Sequence, residues 1–405
     1  LGRALVIKLN GGLGTSMGLD KAKSLLPVRP GLSFLDLIAR QTLHLRRAHG
    51  AALPLLFMNS YSTDRDTLSA LAPYADLPCH DLPLSFLQNR VPKLRADNHR
   101  PVDWPADRDK EWCPPGHGDL YTALFTSGLL HRLLARGLRY AFVSNADNLG
   151  AALDPVLLGR LAEEGLPFMM EVTARTEADR KGGHLARHPD GRLLLREAAQ
   201  CPPNEAAQFQ DIRRHRYFNT NNLWIDLQAL LDYRERTGQT PDLPVIVNRK
   251  TVDPRDPASP AVVQLETAMG SAIEVFERAG AVCVPRSRFA PVKTTDDLLA
   301  LWSDACELAE DGRLALRPER QGVPPLVRLD PRFYKAWPDF ECRFPDGAPS
   351  LLHCRALTVT GDVTFGGGVT VRGEVDVRNG TGAPVRLAHR ALGGTQAEVV
   401  DLLPA

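Results

Sequence analysis

The chain has 405 residues, 43% of them hydrophobic, enough for two or three domains and a large buried core, and nothing in the composition points to disorder. Lysine plus arginine (49) nearly balance aspartate plus glutamate (48), a formal net charge of +1, so no global basic field favours nucleic acid or a membrane surface. An anionic ligand must be met by local cations, and small-molecule partners are expected.

Leu5-Val6-Ile7-Lys8-Leu9-Asn10 reads as a buried strand that runs into Gly11-Gly12-Leu13-Gly14-Thr15-Ser16-Met17-Gly18, with Lys21 and Lys23 behind it. Clustered glycines let backbone N–H groups approach phosphate oxygens and lysine adds charge, so a nucleotide is expected here. Neither common phosphate signature fits. Ala22, not glycine, precedes Lys23-Ser24, and Gly12, Gly14 and Gly18 hold one residue too many for G-x-G-x-x-G. Read alone, the cluster also fits a turn shaped for packing.

Residues 35–47 read as a helix with Leu35, Ile38, Leu43 and Leu45 mostly on one side, and residues 54–59 as the next strand. Residues 78–115, rich in proline, arginine and aspartate, read as a loop insertion over the sheet. Further buried strands are expected at 140–144 and 168–172, and Asp190-Gly191 signals a hairpin whose second arm is 192–198. Through about Asp297 this alternation predicts an α/β domain with a largely parallel sheet. Beyond it, Leu357, Val363, Val369 and Val375 recur every six residues, as do Val359, Phe365, Val371 and Val377, with Gly361, Gly367 and Gly373 between. That period predicts a short parallel β-helix; a run of hairpins with glycine turns is the alternative. The expected domains are 1–325 and 326–405.

The seven cysteines are scattered and form no C-x-x-C pair, which argues against a disulfide framework or zinc; Cys113 and His117 have no second pair nearby. No apolar run is long enough to span a bilayer and no signal peptide is visible, so a cytoplasmic setting is expected.

The segment from Lys8 to Gly18, with Lys23-Ser24, closely resembles the signature loop of the eukaryotic-type UTP:glucose-1-phosphate uridylyltransferases. Four more segments resemble that family in the same order: Pro114-Pro115-Gly116-His117-Gly118-Asp119, the run Phe142 to Gly150, Phe218-Asn219-Thr220-Asn221-Asn222-Leu223-Trp224, and the run Val284 to Thr295. The resemblance implies a Rossmann-like nucleotidyltransferase domain with a mixed, mainly parallel sheet, followed by a left-handed parallel β-helix. It implies attack by glucose 1-phosphate on the α-phosphate of UTP, giving UDP-glucose and pyrophosphate. UTP and glucose 1-phosphate are then the partners and Mg2+ the cofactor.

By the same resemblance Asp147 holds the metal, Lys23 lies along the UTP phosphates and Lys293 reaches the reacting centre. Leu9, Asn10, Gly11 and Gly12 read the uracil edge with Gln88 and Gly116, while His117, Asn145, Gly183, Glu197, Asn219 and Asn221 line the sugar side. Taken singly, these residues also suit blander roles: Asp147 a turn or helix cap, the lysines and Gln88 solvated side chains, the asparagines strand-end turns, and His117 a structural histidine. Asp20, Ala22 and His184 depart from the family pattern, which has lysine, proline and threonine there, and they are expected to change charge and rigidity beside the phosphates and the sugar pocket. A homo-oligomer through the C-terminal domain is a family habit, although the resemblance fades beyond about Asn379.

Two other readings remain. One is a pyrophosphorylase of the same fold for N-acetylhexosamine or galactose 1-phosphate, although the motifs around Asn219 and Arg286 favour glucose. The other is a non-catalytic nucleotide-sugar sensor. Acyl transfer on the hexapeptide repeats is disfavoured because the repeat is short.

Overall fold

The strand Ala4–Asn10 is buried along its whole length, as its unbroken apolar run predicts, and lies inside a nine-stranded sheet. The structure, a computed structural model, describes residues 1–254 and 256–402. Leu55–Asn59 and Tyr140–Asn145 flank the first strand in parallel, and Ser85–Leu87 extends the sheet beyond Leu55–Asn59. On the other side the long strand Tyr217–Asp226 runs antiparallel to both Tyr140–Asn145 and Phe168–Ala174, and Gly280–Cys283 pairs in parallel with the latter. The expected hairpin is formed by His184–Arg187 and Leu193–Arg196 and joins the Tyr217–Asp226 edge. The sheet is therefore mixed and mainly parallel.

Alternation along the strands divides the interior in two. Val6, Phe142, Met169 and Trp224 face one core with the helix Phe34–His49; Leu5, Ile7, Val143, Met170 and Leu223 face the other, which contains Leu120, Leu124, Leu130 and Leu230. Phe34–His49 starts at Ser33, whose side chain accepts from Asp36 N–H while the Asp36 carboxylate accepts from Ser33 N–H, and it ends at Gly50. The expected helix and strands are thus present with ends shifted by a few residues.

Residues 78–115 are more ordered than a loop insertion. Ser85–Leu87 completes the sheet edge, Val91–Pro92 pairs with Trp112–Cys113, and Leu94–Arg95 joins the strands Val245–Thr251 and Ala261–Thr267 in a separate three-stranded sheet. Proline and arginine obscured these strands because each is only two or three residues long, and two of them, Ser85–Leu87 and Leu94–Arg95, are held by partners outside the segment.

In the C-terminal part, Leu326–Leu329, Ser350–Thr360 and Thr370–Asn379 form a parallel sheet with Ala391–Gly393 and Glu398–Leu402, while Val363–Phe365 pairs in parallel with Val385–Leu387. Leu357 lies opposite Val375 and Val359 opposite Val377, so paired positions are three hexapeptides apart. All eight apolar repeat positions are buried. These side chains join the same core cluster as Val6, Phe34 and Leu298, through Trp337, Phe340 and Phe344. Trp302 makes edge contacts with both Trp337 and Phe340, ring centroids 5.4 Å apart in each case.

Candidate active site

Parallel strands ending at Asn10, Asn59 and Asn145 bring three chain ends to one edge of the sheet, where ligands of open α/β folds bind. The Asn10 side chain donates to Asn59 Oδ1 at 2.9 Å and Thr67 Oγ1 at 2.8 Å, so its amide anchors the strand and its backbone is left for a ligand. Leu9 is engaged through its carbonyl, which accepts from Ala146 N–H. The chain then turns through Gly11 and Gly12 and returns antiparallel, with Leu13 bridged to Ala22 and Lys23 N–H donating to the Gly12 carbonyl.

Gln88 packs directly on Gly11: a methyl group there would lie 2.5 Å from Gln88 Nε2. Gly11→Ala must therefore displace that buried amide, and the expected result is a rise of about tenfold in the KM for UTP with a smaller change in kcat. Initial rates over a UTP series check it; an unchanged KM would detach Gln88 from nucleotide binding. Next to Gln88, the Asn89 N–H and amide donate to the Asp119 carboxylate at 2.6 and 2.9 Å, which ties this loop to the Gly116–Asp119 turn. Gly116 has φ +83, and a Cβ would lie 2.5 Å from the Thr267 carbonyl, so glycine is required twice over.

His117 Nδ1 accepts from Met269 N–H at 3.0 Å, and burial lowers its pKa to about 4. The ring is neutral at pH 7, and its Nε2–H makes no hydrogen bond among the described residues. Gly270, the next residue after Met269, abuts the Asn219 amide. Asn219 donates to Asn221 Oδ1 at 2.9 Å, and Asn221 N–H donates back to Asn219 Oδ1 at 2.9 Å. Asn221 has φ +56 in a bulge opposite the Glu171–Val172 junction, a conformation asparagine tolerates and a device that turns side chains out of the strand. Asn219 N–H also donates to the Gly183 carbonyl, and the Glu197 carboxylate packs on Gly183, where a Cβ would lie 2.6 Å from Glu197 Oε1. Burial raises the pKa of Glu197.

On the other flank, Asn145 ends its strand beside Leu9 and Asp147 follows in the turn. Lys23 Nζ lies 2.8 Å from Asp147 Oδ2, and both side chains keep partial exposure, 17% and 25%. Val292 N–H donates to the Asp147 carbonyl at 3.1 Å, so Lys293, itself exposed, emerges beside this turn. The Asn148 amide donates to Asn222 Oδ1 at 3.2 Å and links the turn to the asparagine bulge. Every residue expected at the site thus belongs to one connected rim along the strand ends. A separate cavity of about 460 Å³, lined by Leu166, Val172, Tyr217 and Cys283, contains none of them.

A family model described as UTP--glucose-1-phosphate uridylyltransferase matches residues 1–372. The chain belongs to this family. It is 44% identical over 376 residues to the Saccharomyces cerevisiae UTP--glucose-1-phosphate uridylyltransferase, covering 93% of this chain and 74% of that one. It is 41% identical to the Solanum tuberosum enzyme of the same name, covering 97% and 80%. Among solved structures, a Trypanosoma brucei UDP-glucose phosphorylase superposes with a TM-score of 0.90 at 49% identity, covering 99% of this chain and 86% of that one. A Leishmania major UDP-glucose pyrophosphorylase variant in complex with UDP-glucose gives 0.91 at 46%, with the same coverage.

One expected departure from the family pattern falls elsewhere than expected. His184 opens the strand His184–Arg187, and its ring stacks on His215, centroids 4.0 Å apart, and packs against Phe209 rather than on Glu197. It is fully buried, and neither ring nitrogen has a hydrogen-bond partner among the described residues. Burial, then His215 and Arg175, lower its pKa to about 3. A histidine held below its ordinary 6.5 contributes stability that is complete above that pH and lost as pH falls toward the folded value, because the unfolded chain takes up the proton first. His184→Phe keeps the stacking and removes two unpartnered nitrogens. The expected result is a gain of about 1–2 kcal/mol and a shallower fall in Tm between pH 7 and 5, read from thermal melts.

Two buried charged residues near these strand ends carry no role in the sequence analysis. Lys8 and Glu171 are buried charges inside strands that read as apolar, and that mismatch was the available signal, since buried charges require partners. The Lys8 ammonium donates to Ser144 Oγ at 2.8 Å and to the Ala151 carbonyl at 2.6 Å; burial, then Arg288, lower its pKa to about 7.

Proposed function

We propose that this chain condenses UTP with glucose 1-phosphate to UDP-glucose and pyrophosphate, reversibly. A phosphate oxygen of glucose 1-phosphate forms a bond to the UTP α-phosphorus; the bond from that phosphorus to the oxygen bridging the β-phosphate breaks, and pyrophosphate leaves with the electron pair. No covalent enzyme intermediate is required, so the protein's task is to bring two polyanions together and offset their charge. The observation that carries this reading is the Lys23–Asp147 ion pair at the strand ends of a chain in this family, with Val292, the residue before Lys293, hydrogen-bonded to the Asp147 carbonyl.

Lys23 is assigned to the UTP phosphates and Lys293 to the reacting phosphates. The backbone from Leu9 to Gly12, with Gln88 and Gly116, is assigned to the uracil edge, which offers donors and acceptors that a strand end can match. The neutral His117, as an Nε2–H donor, is assigned to the sugar side with Asn145, Gly183, Glu197, Asn219 and Asn221. The donor set suits Mg2+: Asp147 supplies one partly exposed carboxylate, and among the described residues no group of three or more His, Cys, Asp or Glu forms a protein cage. Bound there, Mg2+ would offset charge on the nucleotide phosphates and the departing pyrophosphate.

Residues 1–325 are read as the nucleotidyltransferase domain and 326–405, of which 403–405 lie outside the described residues, as a short left-handed β-helix, a reading supported by the parallel pairing of successive strands and by the three-hexapeptide offset between residues 356–360 and 374–378. Light scattering tests whether copies associate through this second domain. Seven cysteines without disulfide partners support a reducing compartment, the cytoplasm. Pyrophosphate release from UTP and Mg2+ with a panel of hexose 1-phosphates tests the function. Strong turnover with glucose 1-phosphate supports it. Preference for galactose or N-acetylhexosamine 1-phosphate revises the sugar pocket, and UTP binding without turnover favours the sensor.

A further inference from the structure

A buried ionic network lies directly beneath the proposed reaction centre. Glu171 is fully buried, and its carboxylate accepts Arg288 Nε at 2.8 Å and Nη2 at 2.6 Å, Trp224 Nε1 at 2.9 Å and the Asn222 amide at 3.0 Å. Arg288 Nη2 also donates to the Ala152 carbonyl at 2.9 Å, next to the Ala151 carbonyl held by Lys8. The two side chains therefore grip consecutive carbonyls at the far end of the turn that carries Asn145 and Asp147, and Lys8 grips its near end through Ser144. Lys8 Nζ and the Arg288 guanidinium each lie 5.9 Å from the centroid of the Phe142 ring.

The same network holds the second catalytic segment. The Arg288 carbonyl accepts from the amides of Asn148 and Asn222, and Ala290 N–H donates to Asn148 Oδ1 at 2.9 Å. Residues 288, 290 and 292 are thereby fastened to the turn at three points, and Lys293 follows directly. A buried bidentate pair fixes geometry at a high desolvation penalty, which explains its use where two loops must meet at a set distance.

We propose that Lys8, Glu171 and Arg288 form a buried clamp of positioning residues that sets the Asp147 turn and the Lys293 segment against each other for phosphoryl attack. Glu171 is the hub, because its carboxylate joins the segment to its own strand Phe168–Ala174 and to Tyr217–Asp226, the strand that carries Asn219 and Asn221. The clamp's catalytic consequence rests on the proposed reaction; its mechanical part does not.

The test compares wild type with Glu171→Gln and Arg288→Lys, the second keeping the charge while losing the guanidinium fork. Hydrogen–deuterium exchange over residues 145–151 and 286–293 is followed beside steady-state kinetics and UTP binding by calorimetry. Expected is faster exchange in both segments together, kcat lowered about 100-fold and UTP Kd changed by less than about threefold, with Arg288→Lys closer to wild type than Arg288→Met. If Glu171→Gln does not fold, the two Arg288 variants carry the same comparison. Unchanged exchange in either segment, exchange rising across the whole sheet, or kcat and Kd weakening in parallel would each overturn the clamp. Wild type that fails to turn over UTP with glucose 1-phosphate would overturn the function while leaving the exchange result to decide the clamp.

Discussion

Asp147→Asn is expected to lower kcat with UTP and glucose 1-phosphate by about 100- to 1,000-fold, the loss typical when one charge-stabilising group is removed from a preorganised site. The substitution keeps the shape and removes the charge. Asp147 is partly exposed, lies in a turn held by Lys8 and Asn148, and contributes its backbone carbonyl to Val292, so an amide leaves the local fold in place. What disappears is the carboxylate assigned to Mg2+ and the 2.8 Å partner of Lys23. Steady-state rates over a magnesium series, with circular dichroism as the folding control, check the expectation. Activity within a few-fold of wild type would remove Asp147 from the metal role.

Lys293→Ala should follow closely, with a loss in kcat of about 100-fold and a modest change in the KM for UTP. The side chain is exposed, and no hydrogen bond from its ammonium occurs among the described residues, so its removal opens no cavity and breaks no internal contact. Its backbone N–H donates to Asp297 Oδ2 at 2.7 Å at the start of the helix Thr295–Trp302, an arrangement that alanine preserves. An exposed lysine fixed at its backbone beside Asp147 is suited to charge that develops in the transition state, and that distinction makes kcat the sensitive parameter. Lys293→Arg retains charge with altered reach and should recover part of the rate. A Tm equal to wild type with the rate reduced would separate chemistry from stability, whereas equal rates would move the reacting centre away from this segment.

The legible part of the fold was local. The strand from Ala4 to Asn10, the helix from Phe34 to His49 and the Asp190-Gly191 hairpin carry their own periodicity and turn chemistry, and the eight hexapeptide positions all reached the interior. The short strands within residues 78–115 were missed because each is only two or three residues long and two of them pair outside the segment, with Ala261–Thr267 and Leu55–Asn59. His184 was legible as a departure from the family pattern, but not as a fully buried ring packed on His215 and Phe209, because those partners come from a remote segment.

From residue order alone came the family, through five motifs in series, and with it the list of groups proposed for a nucleotide, a sugar phosphate and a metal ion. Tertiary structure alone decided how those groups meet. Asp147 and Lys23 are 124 residues apart in sequence and 2.8 Å apart in space. Glu171 and Arg288 are 117 residues apart and share two hydrogen bonds. Motifs record which chemistry is available, because residue type is a local property. Distances between motifs are set by sheet register, by a bulge and by a buried charge pair, and each of these exists only once remote segments have packed.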